Sequence, residues 1–249
     1  MRRITLLNSK GGCGKTTLAT NLASYFARNG LATSLIDHDA QGSSTRWINM
    51  RPDVLADIHS VAAYRQPITV TRSFHNRIPP GTQRVVVDTP GALDTGALQD
   101  LVRVSDCIVI PVLSSHIDID AFEKFTRTLY KHPRVRAQSV RIGVVANRVR
   151  SSTKIFRELN TVLHDCPFDY VTTLRESQNY VAASEMGVGI HDLKPNLVHK
   201  DCEQWAPLLG WLEEPHGPKQ QSPEEPTGPW SNRAMEGSGP LQASGGFAA

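Results

Sequence analysis

The stretch "ITLLNSKGGCGKTT", residues 4–17, decides the fold. A short apolar run, "ITLL", leads into the glycines Gly11, Gly12 and Gly14. From Thr16 onward the apolar residues Leu18, Leu22, Tyr25 and Phe26 recur at helical spacing, with Gly30 as the expected stop. A strand, a glycine turn and a helix start in that order make a cradle for phosphate. Glycines let backbone N–H groups turn inward, and the helix adds its positive end. Lys15 would neutralise β- and γ-phosphate oxygens, while the Thr16 hydroxyl would hold Mg²⁺. The strict pattern G-x-x-x-x-G-K-[ST] is not met, because Ser9 takes the place of its first glycine. Lys10 instead stands directly before Gly11-Gly12. A flexible glycine turn with two solvated lysines is the bland alternative, and the full string in this setting is too specific for it.

Outward from that stretch, short β-branched runs alternate with helix-period segments. "TSLID" (33–37), "RVVVD" (84–88), "CIVIPV" (107–112) and "RIGVVAN" (141–147) read as buried strands. Residues 16–28, 93–104, 118–131, 151–164 and 177–186 read as helices. The alternation predicts an α/β fold, a mostly parallel twisted sheet with helices on both faces. Within 51–80, "ADIHSVAAYR" suits a helix and "PITVTRSF" an edge strand. The amphipathic but acidic "DCEQWAPLLGWLEE" (201–214) is expected to pack Trp205, Leu208, Leu209 and Trp211 into the core. From Glu213 the chain carries six prolines and six glycines with little aliphatic periodicity. The expected division is one domain over 1–212 and a disordered tail over 213–249.

The 249 residues suffice for one such domain. A formal net charge of +3 allows contact with nucleic acid without demanding it, so such contact needs a local cluster. Cys13, Cys107, Cys166 and Cys202 lack C-x-x-C spacing, which argues against a zinc or iron–sulfur site and for a reduced, cytoplasmic interior. No apolar stretch is long enough for a signal peptide or a membrane span.

Carboxylates follow the other strands. "LIDHDAQGSS" (35–44) ends a strand in Asp37 and Asp39, and "VVVDTPGAL" (85–93) places Asp88 after three valines. Groups at strand C-termini face the crevice where α/β sheets bind ligands, which suits Asp37 and Asp88 to Mg²⁺ held through water. Two turn or N-cap aspartates before a helix at Ser43-Ser44 are the alternative for Asp37 and Asp39. "VANRV" (145–149) has Arg150 where a guanine site of the N-K-x-D type would need aspartate, so guanine specificity is not expected.

Together these boxes resemble the deviant Walker A ATPases of the ParA/MinD family, whose first box reads K-G-G-x-G-K-[ST]-[ST]. The resemblance runs over residues 1 to about 212, and includes "VIPVLSSHIDIDA" and "LRESQNYVAASEMGVGIHDL". It implies ATP and Mg²⁺ as ligands, with Lys10, Gly11, Gly12, Cys13, Gly14, Lys15, Thr16 and Thr17 around the phosphates. Thr16, Asp37 and Asp88 would serve the metal, and Asn147 would contact adenine. By the same resemblance, Lys10 crosses to the nucleotide of a second protomer, Lys15 acts within its own subunit, and Asp39 orients the attacking water. Ala40 departs from the family's proline in the second box, which implies a less rigid segment there. The absence of a basic amphipathic C-terminal helix separates the chain from the membrane-bound MinD branch.

The small ParA branch implies a homodimer with ATP and non-specific binding to double-stranded DNA. It also implies a nucleoid-associated location and a cargo adaptor of ParB-like role that stimulates hydrolysis. Arg148, Arg150, Lys154, Arg157 and Arg175 are the candidate DNA contacts, with a solvated helix face as the alternative for each. A metabolic or metallocentre-assembly ATPase on the same fold is the competing reading. Cys13 is expected to contribute its amide, and the lysines and helix start around it predict a reactive thiolate.

Overall fold

A computed structural model of the chain describes residues 1–65 and 78–215. The expected edge strand at 67–74 and most of the expected tail lie outside them. Seven strands, β1 (Arg2–Leu6), β2 (Thr33–Asp37), β3 (His59–Ala62), β4 (Arg84–Asp88), β5 (Cys107–Leu113), β6 (Arg141–Val149) and β7 (Asp169–Arg175), form one sheet. The order is β3-β2-β4-β1-β5-β6-β7, and every neighbouring pair is parallel. Among the described residues the α-helices are α1 (Lys15–Arg28), α2 (Ser43–Asn49), α3 (Thr95–Val104), α4 (His116–Tyr130), α5 (Pro133–Arg136), α6 (Lys154–Asp165), α7 (Gln178–Glu185) and α8 (Pro195–Glu213).

Two cores, one on each face, explain why the strands read as continuous apolar runs. Val85, Val87, Ile108 and Ile110 point to one face, where Leu98 of α3, Phe122 and Leu129 of α4, and Leu159 and Leu163 of α6 cover them. Ile4, Leu6, Val86 and Val109 point to the other, against Leu18, Leu22 and Phe26 of α1 and Trp205, Leu208 and Leu212 of α8. Alternate residues of one strand are therefore buried on opposite sides, as a doubly covered parallel sheet requires. Trp205, Leu208, Leu209 and Trp211 are all buried, as the amphipathic pattern predicts. Gly30 ends α1 with a φ of 78°, a left-handed conformation that glycine adopts without strain.

The helix expected over "ADIHSVAAYR" is not formed. Residues 59–62 are instead β3, paired to β2 from Ser34↔His59 to Asp37↔Ala62, and a single 3₁₀ turn follows. Local alanines favour a helix, but the open edge of β2 needs a hydrogen-bonding partner and Val61 is buried on it. β7 also escaped the pattern, since most of its residues are only half-buried. Among the described residues no helix is long and apolar enough to cross a membrane.

Candidate nucleotide site

The loop from Leu7 to Gly14 joins the end of β1 to α1 at the C-terminal edge of the sheet. Asn8 anchors its start: the side-chain amide donates to the Pro111 carbonyl at 2.7 Å, and its oxygen accepts from the Lys10 N–H at 3.0 Å. Gly14, at a φ of 99°, is the N-cap of α1 and supplies no side chain to the helix end. The first amides of α1 thus lack a side-chain cap and are free to meet an anion.

The two lysines are placed differently. Lys15 is buried, and its ammonium donates to the Lys10 carbonyl at 2.7 Å and the Asn8 carbonyl at 3.3 Å. It lies folded into its own loop. Lys10 is half-buried, and its ammonium has no partner among the described residues.

Cys13 corrects the expected reactivity. Its side chain is fully buried, its thiol faces the Lys10 carbonyl at 3.4 Å, and burial pushes its pKa up despite the Lys15 charge nearby. A thiol so placed is a poor nucleophile.

Asp37, Asp39 and Asp88 gather beside α2. Asp88 is fully buried; one carboxylate oxygen accepts from the Ser44 hydroxyl at 2.6 Å and the other has no hydrogen-bond partner. Burial pushes its pKa up to about 6, against the favourable pull of the Ser44 and Thr16 hydroxyls and the Lys15 charge. An orphaned buried carboxylate oxygen beside a threonine hydroxyl is a donor set that fits a hard divalent cation and its water.

Asp37 is more heavily used by the protein itself. One oxygen accepts from the Asp39 N–H at 3.1 Å, and the other from the Thr45 N–H at 2.9 Å and the Thr45 hydroxyl at 3.0 Å. Gly42, the N-cap of α2, offers no side chain, so Asp37 caps that helix from the end of β2. The capping alternative read from the sequence therefore describes a contact Asp37 makes. Its pKa is also raised, chiefly by burial, with the Thr45 bonds opposing. Asp39 is half-exposed and accepts from the Gln41 N–H at 3.0 Å in a local turn.

Asn147 is buried near the end of β6, two residues before Val149. Its amide donates to the Cys13 carbonyl at 2.8 Å, beneath the phosphate loop. Beside it opens a cavity of about 340 Å³ whose apolar walls include Leu18 and Leu174, with Asn147, Glu176, Ser177 and Gln178 at its polar edge. Volume and lining suit a purine base. Another cleft, of about 190 Å³, lies near the N-terminal ends of β6 and β7 among Val140, Ile142, Phe168 and Pro215, at the other end of those strands.

The five basic candidates do not form one uniform group. Arg148, Arg150, Lys154 and Arg157 are exposed where β6 turns into α6. Arg150 pairs with Glu176 at 2.5 Å and Lys154 with Glu158 at 3.9 Å. Arg175 instead makes a two-pronged bond to fully buried Asp201 of α8, at 2.6 and 3.0 Å. Burial alone would raise the Asp201 pKa, but the bonds from Arg175, Asn179 and Ser177 outweigh it and hold the carboxyl low. Most of the Arg175 guanidinium is thus spent on holding α8 to β7.

Sequence reasoning missed Asn8, Ser44 and Thr45. Asn8 carried a signal, a polar residue at a strand end where burial was expected. Ser44 and Thr45 carried none, because their partners lie on other strands.

Strand order, glycine loop and carboxylates at the strand ends define a P-loop nucleotide-binding protein of the ParA/MinD type. Residues 4–189 match the family model of the CobQ/CobB/MinD/ParA nucleotide binding domain, and the chain belongs to that family, as an ATPase. It is 28% identical over 191 residues to the maintenance of carboxysome distribution protein A of Halothiobacillus neapolitanus, covering 76% of this chain and 87% of that one. Its fold is similar to that of a plasmid partition protein from Borrelia burgdorferi bound to AMPPNP, with a TM-score of 0.65 at 17% identity over 84% of this chain and 99% of that one. An ATP complex of a Cyanothece McdA variant is comparably similar, with a TM-score of 0.64 at 16% identity over 87% of this chain and 99% of that one.

Proposed function

We propose that the chain is an ATP-dependent dimerising switch that binds DNA non-specifically and positions a cargo, with hydrolysis stimulated by an adaptor protein. The observation that carries this reading is the contrast between the loop lysines. Lys15 is folded into its own loop, whereas the partly exposed Lys10 ammonium has no partner among the described residues. A cation held at the edge of its own site is suited to a nucleotide on a second protomer, where it would stabilise transition-state charge as an arginine finger does. In this reading the Gly11–Thr17 amides and Lys15 cradle the phosphates, Asp39 orients the attacking water, and Asn147 meets the base. Bound Mg²⁺, held by Thr16 and Asp88 with Asp37 nearby, would neutralise phosphate charge. The exposed cations Arg148, Arg150, Lys154 and Arg157 would meet DNA phosphates.

The relative named for carboxysome distribution supports a positioning role, with a plasmid, chromosome region or protein body as the cargo. DNA attachment would make the protein nucleoid-associated. The division into an ATPase domain over 1–212 and a tail over 213–249 belongs to the same proposal, although α8 continues to Glu213.

Lys10→Ala and Lys15→Ala separate the roles. Lys15→Ala is expected to lose ATP binding, while Lys10→Ala keeps monomeric binding but loses ATP-dependent dimers and hydrolysis. A Lys10→Ala protein that dimerises and hydrolyses like the parent overturns the proposal.

A further inference from the structure

We infer that Asn147 is a positioning residue for the phosphate loop, holding it in shape through the Cys13 carbonyl. Asn147 is buried near the end of β6, in register with Leu113 of β5, so the sheet fixes its backbone. Its amide donates to the Cys13 carbonyl at 2.8 Å. In a trans peptide the C=O and the following N–H point in opposite directions. Fixing the Cys13 carbonyl downward onto Asn147 therefore fixes the Gly14 N–H away from it, and that N–H is among those the loop offers to a phosphate.

The approach is close enough to dictate the sequence above it. A Cβ on Gly14 would stand 2.1 Å from the Asn147 amide nitrogen, and Gly14 has a φ of 99°. Gly14 is thus required twice, by its backbone angle and by the side chain beneath it. The loop's other contacts do not substitute. The Lys15 ammonium and the Cys13 thiol both converge on the Lys10 carbonyl, and Asn8 holds only the loop's entrance. From β6, separated from β1 by β5 in the sheet, the Asn147 side chain reaches the turn just before α1, and it also borders the base cavity. One residue thereby links base pocket and phosphate cradle. The loop-holding role rests on the bond to the Cys13 carbonyl, whereas contact with adenine belongs to the proposed function.

The test is hydrogen exchange on the nucleotide-free full chain, parent against Asn147→Asp and Asn147→Ala. Aspartate keeps the shape but cannot donate to a carbonyl when ionised. Both variants are expected to speed exchange of amides 10–16 about tenfold, with the β5 and β1 amides as protected as in the parent. In steady-state assays the ATP KM rises about tenfold with kcat changed far less, since a misshapen cradle weakens binding before it alters chemistry. In the ¹⁵N-labelled parent, the Asn147 side-chain amide protons are slow to exchange without nucleotide, a readout that needs no variant to fold. Unchanged loop exchange in the variants, or a fast-exchanging Asn147 amide in the parent, overturns the inference. Lower ATP affinity with an unchanged loop would leave Asn147 as a base contact alone. A loosened loop in a protein whose ATP and GTP affinities fall by the same factor supports the inference and denies the adenine contact.

Discussion

Gly91 lies so close to Gly11 that a Cβ on Gly91 would stand 2.8 Å from the Gly11 amide nitrogen and 2.9 Å from its Cα. The turn after β4 and the phosphate loop after β1 therefore pack backbone to backbone. The Thr89 hydroxyl reinforces this by donating to the Leu6 carbonyl at 2.6 Å. Movement of one loop is felt by the other.

Gly91→Ala tests that contact. The atoms it would meet are backbone, which cannot swing aside as a side-chain tip does, so the phosphate loop must shift. ATP affinity is expected to fall about tenfold, with thermal stability lowered by only about 1–2 kcal/mol. Calorimetric titration reads the first and a denaturant melt the second. Parental ATP affinity in the variant would show that the two loops are mechanically independent.

Asp88 predicts a pH effect of definite sign. Its folded pKa is about 6 against 3.8 for the free group, so between those values the folded state holds more protons than the unfolded state. Its contribution to stability is therefore greatest at low pH and is lost as pH rises through about 6. Asp88→Asn should stabilise the nucleotide-free protein at pH 7.5 by about 1–2 kcal/mol, with the gain fading toward pH 5. The same variant should lose the extra thermal stabilisation that Mg²⁺ adds to ATP. A variant less stable than the parent at pH 7.5, or one with an intact Mg²⁺ response, would contradict the role given to this carboxylate.

Mixing variants distinguishes action across a dimer from action within a subunit. Asp39→Ala should bind ATP, hydrolyse it about a hundredfold more slowly and remain dimeric on sizing chromatography. Lys10→Ala should fail to hydrolyse for want of the crossing cation. In a mixed dimer, the Lys10→Ala subunit retains its own Asp39 and receives Lys10 from its partner, so one site is complete. Activity above that of either variant alone is the expected result, and simple averaging would rule out exchange of Lys10 between subunits.

DNA contact is expected at the turn from β6 to α6. Replacing Arg148, Lys154 and Arg157 by alanine should weaken binding to unrelated duplexes and flatten its salt dependence by about 2–3 in the log–log slope. ATP affinity should not change. Arg175→Ala should behave differently. It leaves the buried Asp201 without its cation, and stability should fall by about 2–3 kcal/mol, less than for a fully buried pair because Arg175 is partly exposed. Filter binding over a salt series and thermal melts make the comparison. Undiminished DNA binding by the triple variant would move the surface elsewhere.

The sequence by itself determined the strand-and-helix alternation, the phosphate loop and the carboxylates at the strand ends. These are local signals: β-branched runs buried on both faces, glycines where the backbone must turn, and charged residues directly after a strand. It also set Lys10 apart from Lys15 by position, while the roles given to them came from the resemblance to the ParA/MinD family. Tertiary structure alone decided the rest. "ADIHSVAAYR" became a strand and a short turn because the edge of β2 needed a partner, which outweighs the helical preference of a few alanines. Arg175 became a tether because Asp201, far away in sequence, is buried against it. Asp37 became the cap of α2, and Asn147 the support of the phosphate loop, through bonds to backbone groups that any residue could have supplied. A side chain's own identity announces what it can donate or accept, but the group that meets it is chosen by the packing of distant segments, and no local pattern records that choice.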